Sequence, residues 1–227
     1  MDWDALFQPW NGSEEPLYPE RKYTPWAHPG WLSWNQHAVE SQVAFFLAEL
    51  TARIADEVGK DFVALETGVG QGYVTRRLAS AVNPALVRGI WTFESELEWS
   101  GRIRQLPFWP ANLHMCIKWE RTPSPTQMSE AHLVILDSND PWRAIELLLW
   151  TQVAPHNSVL FIHDTGSYHP TDDGHFALGF LIRQLKIPGL WLENPRGAFL
   201  AQKDQLHVPN RYKAIWDRVV EQVYTFE

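Results

Sequence analysis

The chain has 227 residues, 45% of them hydrophobic and 20% charged, enough for a sizeable buried core and unlike a disordered tail. Its formal net charge of -8 opposes a nucleic-acid-binding surface, which is ordinarily basic, and no basic stripe interleaved with aromatics occurs. The single cysteine, Cys116, excludes an internal disulfide and a multi-cysteine zinc site, no apolar run approaches the roughly 20 residues of a membrane span, and the opening MDWDALFQPW lacks the basic start and apolar stretch of a signal peptide. The expectation is one soluble, cytoplasmic α/β domain with no membrane partner.

Residues 1–33 carry Pro9, Pro16, Pro19, Pro25 and Pro29, a density that forbids a long helix or central strand. Five of the 13 tryptophans (Trp3, Trp10, Trp26, Trp31, Trp34) fall before residue 35. This segment reads as an irregular arm over a domain spanning 34–227. Ser33 with Gln36 fits a capping box, and Val39, Val43, Phe46, Leu47, Leu50, Ile54 and Val58 follow at helical spacing. Phe62 to Leu65 reads as a buried strand ending at Glu66, and Tyr73 to Val82 as a helix. Val87 to Phe93 is a second strand closed by Glu94, after which Ser95 and Glu98 cap a helix reaching about Leu106. Leu113 to Trp119 and His132 to Leu136 are further strands, the latter ending at Asp137. Asp140-Pro141 reads as N-cap and first-turn proline of a helix through Val153.

Ser158 to Ile162 is a fifth strand, ending at His163-Asp164. A helix near 176–186, strands near 190–192 and 198–201, and a helix from Asn210 follow. Strands alternating with helices imply a mostly parallel sheet covered on both faces, and the short 193–197 connection suits a hairpin that adds an antiparallel strand. Trp91, Trp119 and Trp150 lie within these elements and are assigned to packing. Ile215, Val219 and Val223 share one face of the last helix, which suits its own sheet or a second copy of the chain in a homodimer.

The informative motif is Glu66-Thr67-Gly68-Val69-Gly70-Gln71-Gly72, between a strand and a helix. Glycines allow a tight turn and close ligand approach. A dinucleotide fingerprint would need glycine at 73, where Tyr73 stands, and the Gly-Lys-Ser/Thr ending of a P-loop is absent. An acid ahead of the glycines repels polyphosphate and suits a ligand bearing an amino group. Here the sequence resembles the class I S-adenosylmethionine-dependent methyltransferases, whose first motif is an acid followed by G-x-G-x-G.

Glu94 extends the resemblance. These enzymes usually carry an acid after the second strand that grips the ribose hydroxyls, and Glu94 lies about 20 residues beyond the last glycine. The resemblance implies a Rossmann-like seven-stranded sheet with an antiparallel closing strand. It also implies cofactor contacts from Glu66, Thr67, Gly68, Gly70, Gly72 and Tyr73, from Glu94 and Ser95, and from Asp137. Glu94 also has a plain structural use, favouring the N-terminus of the next helix.

Ligands in open α/β sheets bind beyond the carboxyl ends of the strands. There the chain places Asp137-Ser138-Asn139-Asp140 and His163-Asp164-Thr165. This resembles small bacterial methyltransferases whose fourth strand often ends Asp-Gly-Asp-His and whose fifth often ends His-Asp. Asp137, His163 and Asp164 are kept, whereas Ser138, Asn139 and Asp140 depart. Metal-dependent O-methyltransferases place aspartates where Asp137 and Asp164 stand, so Mg2+ or another divalent metal on this pair is one expectation, although Thr165 replaces their asparagine ligand. The other is that both carboxylates only orient loop amides. The 163–175 segment holds further histidines and aspartates, among them His169, without a standard metal spacing.

The resemblance implies methyl transfer to a small-molecule hydroxyl, with His163, Asp164 and Asp137 as catalytic residues and His163 the favoured general base. The arm at 1–33 is expected either to roof the acceptor pocket or only to cover apolar surface. N- or carboxyl-methylation on the same fold, and a non-catalytic cofactor-binding protein, stay open.

Overall fold

The computed structural model describes residues 41–70, 72–83, 87–94, 113–116, 122–165, 173–192, 194 and 197–224. The arm at 1–33, the caps proposed at Ser33 and Ser95, Trp119 and His169 lie outside them. The described elements are α1 (Ser41–Val58), β1 (Val63–Thr67), α2 (Tyr73–Ala81), β2 (Gly89–Phe93), β3 (Leu113–Cys116), α3 (Pro125–Met128), β4 (Leu133–Leu136), α4 (Asp140–Val153), β5 (Val159–His163), α5 (Asp173–Gln184), β6 (Gly189–Leu192), β7 (Ala198–Gln202) and α6 (Asn210–Tyr224).

The strands join in one sheet of order β3-β2-β1-β4-β5-β7-β6. Pairings among β1 to β5 are parallel, and β7 runs antiparallel to both β5 and β6. Every residue of β1, β4 and β5 is buried, as expected of parallel strands covered on both faces. Side chains alternate between two cores. Ala64, Ile90, Ile135 and Phe161 pack with α1, α2 and α6. Leu65, Val134, Leu136 and Ile162 pack with α4 and α5.

The chain winds from β1 to β2 and β3 on one side, then crosses to β4 and β5 on the other. This reversal opens a crevice beyond the carboxyl ends of β1 and β4, the place where such sheets bind ligands. The ends are held level by backbone bonds, from the Gly68 amide to the Phe93 carbonyl and from the Asp137 amide to the Thr67 carbonyl, both 3.0 Å.

Three details correct the sequence reading. The N-cap of α4 is Asn139 and not Asp140: the amides of Trp142 and Arg143 reach the Asn139 carbonyl, and Pro141 fits the first turn because its missing N–H would have no partner there. A short helix, α3, is added at Pro125–Met128. Its capping box joins Ser124 and Gln127 reciprocally, a signal present in the sequence. His132 stands just before β4 and accepts the Val63 amide at 3.3 Å on its Nδ1.

The apolar face of α6 packs inward. Tyr212, Ile215 and Val219 are buried, Trp216 meets Phe46 of α1 edge-on at 5.3 Å, and Arg218 pairs with Glu49. Trp150 is also a packing residue, its Nε1 donating to Ser158 Oγ at 3.3 Å. Trp91 is half-buried, with the Arg88 guanidinium 5.6 Å from its ring. Among the described residues no helix is long and apolar enough to cross a membrane.

Candidate functional site

The turn after β1 is built from left-handed glycines: Gly68, Gly70 and Gly72 have φ of 73°, 54° and 74°. At Gly68 the need is absolute. A Cβ there would lie 2.0 Å from the Asp137 carbonyl oxygen, so the turn presses directly on the end of β4. Gly72 is the N-cap of α2 and supplies no side-chain cap, which leaves the helix N-terminus suited to an anionic group. The Gly70 amide donates to Glu94 Oε2 at 2.8 Å, fixing that carboxylate at the rim of the turn.

Glu66 lies beneath the turn. It is 2% exposed, and the Thr75 hydroxyl donates to its Oε2 at 2.5 Å. Burial pushes its carboxyl up to about 8; the Thr75 bond opposes this, while the charges of Asp137 and Glu94 add to it. A neutral acid at neutral pH is thus stored under the glycines.

At the ends of β4 and β5, Asp137, His163 and Asp164 converge. His163 Nδ1 lies 3.2 Å from Asp137 Oδ1 and 3.1 Å from Asp164 Oδ1. The hydrogen bond to Asp137 Oδ1 is the one that a tautomer with its proton on Nδ1 would donate. The imidazole is fully buried and stacks over Phe161. Of the three side chains Asp137 is the most accessible, at 21% against 6% for Asp164 and 0% for His163. Of the three, Asp137 is thus the side chain presented to the crevice, with His163 behind it. Asp164 adopts φ 57°, the left-handed region that costs a non-glycine residue of order 1 kcal/mol or more.

Two residues of α4 that the sequence reading passed over complete the site. Glu146 is fully buried and accepts from Thr67 Oγ1 at 2.9 Å and Ser138 Oγ at 2.7 Å, tying the turns after β1 and β4 to one helix. Ser138, a departure from the usual glycine, thereby gains a defined use. Burial pushes the Glu146 carboxyl up to about 7, against the Ser138 and Thr67 hydroxyls and the Arg143 charge. Arg143 is 2% exposed, donates from Nη1 to the His163 carbonyl at 2.7 Å, and holds that atom 3.6 Å from Asp164 Oδ2 and 3.9 Å from Asp137 Oδ1. Both residues extend the buried stripe Leu147, Trp150, Ala154 backward at helical spacing. Charges on a buried stripe were the available signal.

Asp137, His163 and Asp164 offer ligand atoms within 4.8 Å of one another, a spacing a metal could use. Their surroundings do not suit a divalent ion. The carboxylates already face the buried Arg143 guanidinium, whose Nη1 stands 3.9 Å from Asp137 Oδ1 and 3.6 Å from Asp164 Oδ2.

The raised acids make stability depend on pH. Glu66 and Glu146 bind protons more tightly in the folded chain than at their ordinary value of 4.5, so stability falls as pH rises from about 4.5 to about 8 and then levels off. Melting temperatures should decline between pH 5 and 8, and Glu66→Gln should flatten that slope. A slope identical in wild type and variant would contradict the assignment.

No protein-family model and no curated protein matches the sequence. Solved structures do match. An O-methyltransferase from Bacillus cereus in complex with S-adenosylhomocysteine aligns at TM-score 0.55 and 15% identity, over 74% of this chain and 84% of that one. TomG, the O-methyltransferase of tomaymycin synthesis in Streptomyces achromogenes, aligns with S-adenosylmethionine bound at 0.51 and 14%, over 73% and 82%. The Podospora anserina methyltransferase PaMTH1 aligns with S-adenosylhomocysteine bound at 0.52 and 15%, over 77% and 81%. The chain has the class I methyltransferase fold. Within that methyltransferase fold, Thr67, Gly68, Gly70, Gly72, Glu94 and Asp137 come together at the switch point. Glu66 sits below them and Tyr73 begins α2. Ser95 lies outside the described residues.

Proposed function

We propose that this chain is an S-adenosylmethionine-dependent methyltransferase and that its acceptor is a small-molecule hydroxyl. The reading rests on one observation: the left-handed glycine turn bears directly on Asp137, so a cofactor on that turn stands beside a partly exposed carboxylate backed by His163. The glycine turn suits the cofactor chemically. It offers a tight backbone without side chains, an uncapped helix N-terminus for the methionine carboxylate, and Glu94 for the vicinal ribose hydroxyls. Ser95, next to Glu94 in the sequence, is proposed for the same role.

When bound, the cofactor supplies an electrophilic methyl group on a sulfonium. The chain's own work is alignment and proton management. Asp137 accepts the acceptor's hydroxyl proton, and His163 Nδ1–H holds that carboxylate in orientation. Asp164 Oδ1 lies 3.1 Å from His163 Nδ1 and, at 6% exposure, that side chain does not meet the acceptor. Glu66, neutral under the turn in the free protein, becomes ionised as the cofactor's amino group approaches.

The limited accessibility of the cluster, 21% at Asp137 and 0% at His163, favours a second reading, a carboxylate acceptor that needs no base. Methyl-labelled cofactor incubated with phenolic, sugar and carboxylate acceptors tests both. Label in a base-stable ether supports the first, and label released by mild alkali supports the second. Cofactor bound with no label transferred to any acceptor would leave a binding protein instead.

A further inference from the structure

We propose that the Arg143 guanidinium is a resident cation that occupies the place of a metal between the strand ends, so that the site works without a divalent ion. Three observations carry it. The guanidinium is enclosed, at 2% exposure, and Nη1 is anchored to the His163 carbonyl at 2.7 Å, so it cannot swing out like a surface arginine. The same atom stands within 4 Å of one oxygen each of Asp137 and Asp164, the two carboxylates a metal would need. Asp164, at φ 57°, turns one oxygen toward each neighbour, Oδ2 lying 3.6 Å from Arg143 Nη1 and Oδ1 3.1 Å from His163 Nδ1 without hydrogen-bond geometry.

Arg143 stays protonated at any working pH. It neutralises part of the charge of the Asp137–Asp164 pair without exchange, whereas a bound ion would depend on supply. A dication added here would be repelled by the guanidinium. Arg143 is thus a positioning residue: it acts on the acceptor only through Asp137 and His163. Glu146, also buried on α4, faces the Ser138 and Thr67 hydroxyls rather than this pair.

The test is titration of MnCl2 into the full-length protein without cofactor, read by the spectroscopic signal of free Mn2+. Wild type should bind no Mn2+ at concentrations up to about 1 mM, and Arg143→Lys, which keeps the charge, should behave alike. Arg143→Met, similar in volume but neutral, should acquire one Mn2+ and lose it again when Asp137→Asn is added. A micromolar Mn2+ site in wild type that disappears with Asp137→Asn overturns the proposal, whether or not Arg143→Met folds. A cooperatively folded Arg143→Met that binds no Mn2+ overturns it as well. These readouts do not use methyl transfer, so they stand if the functional reading fails. Where turnover is measurable, chelator should leave it unchanged, and Arg143→Met should lower kcat with little change in cofactor KM while Arg143→Lys restores part of it.

Discussion

Alanine at Gly68 is expected to abolish measurable cofactor binding and to lower stability by roughly 2–5 kcal/mol, the sum of overpacking and a left-handed side-chain-bearing residue. The obstacle is backbone, not a side chain that can turn away: the added Cβ would meet the Asp137 carbonyl oxygen at 2.0 Å, its carbon at 2.3 Å and the Ser138 amide nitrogen at 2.6 Å. Relief requires the turn after β1 to part from the end of β4. That movement also breaks the backbone bond from the Asp137 amide to Thr67 and the Thr67 and Ser138 anchors on Glu146. Denaturant midpoints and titration of S-adenosylhomocysteine read the two effects separately. Wild-type values in both would show that the turn is not the pressed junction described.

Asparagine at Asp137 should reduce turnover by about 10²–10⁴-fold, the usual contribution of a positioned base. Cofactor affinity should change far less. The substitution keeps the volume and an oxygen for His163 Nδ1–H, so the fold has little reason to respond. It removes the only one of the three clustered acid and imidazole side chains with substantial accessible surface. Loss of kcat with the cofactor KM held would place the base at Asp137. Retained kcat would favour the carboxylate acceptor, for which proton removal is unnecessary.

Much of the fold was legible because its signals are local. Val63–Thr67, Leu133–Leu136 and Val159–His163 are built on short apolar runs followed by Glu66, Asp137 and His163, and each became a parallel strand. Gly68, Gly70 and Gly72 announced the turn, and Glu94 proved to meet it through the Gly70 amide. What escaped were relations across the sheet. Arg143 and Glu146 look like ordinary charges on an amphipathic helix until Leu147 and Trp150 fix which face is buried. His163 was placed correctly at the strand end, but its enclosure depends on Phe161, Asp137 and Asp164 together, which no spacing records. The cap at Asn139 was missed by one residue because it works through its carbonyl and not its side chain.

The central claim is that the glycine turn with Glu94 is a binding site for the methyl-donor cofactor, and calorimetric titration of S-adenosylhomocysteine tests it most directly. One molecule should bind per chain with Kd of about 1–100 µM, and Glu94→Ala should weaken binding by about ten-fold or more through lost charge-assisted hydrogen bonds. Absence of binding by the folded wild-type protein up to about 1 mM, or an affinity indifferent to Glu94, would contradict the account.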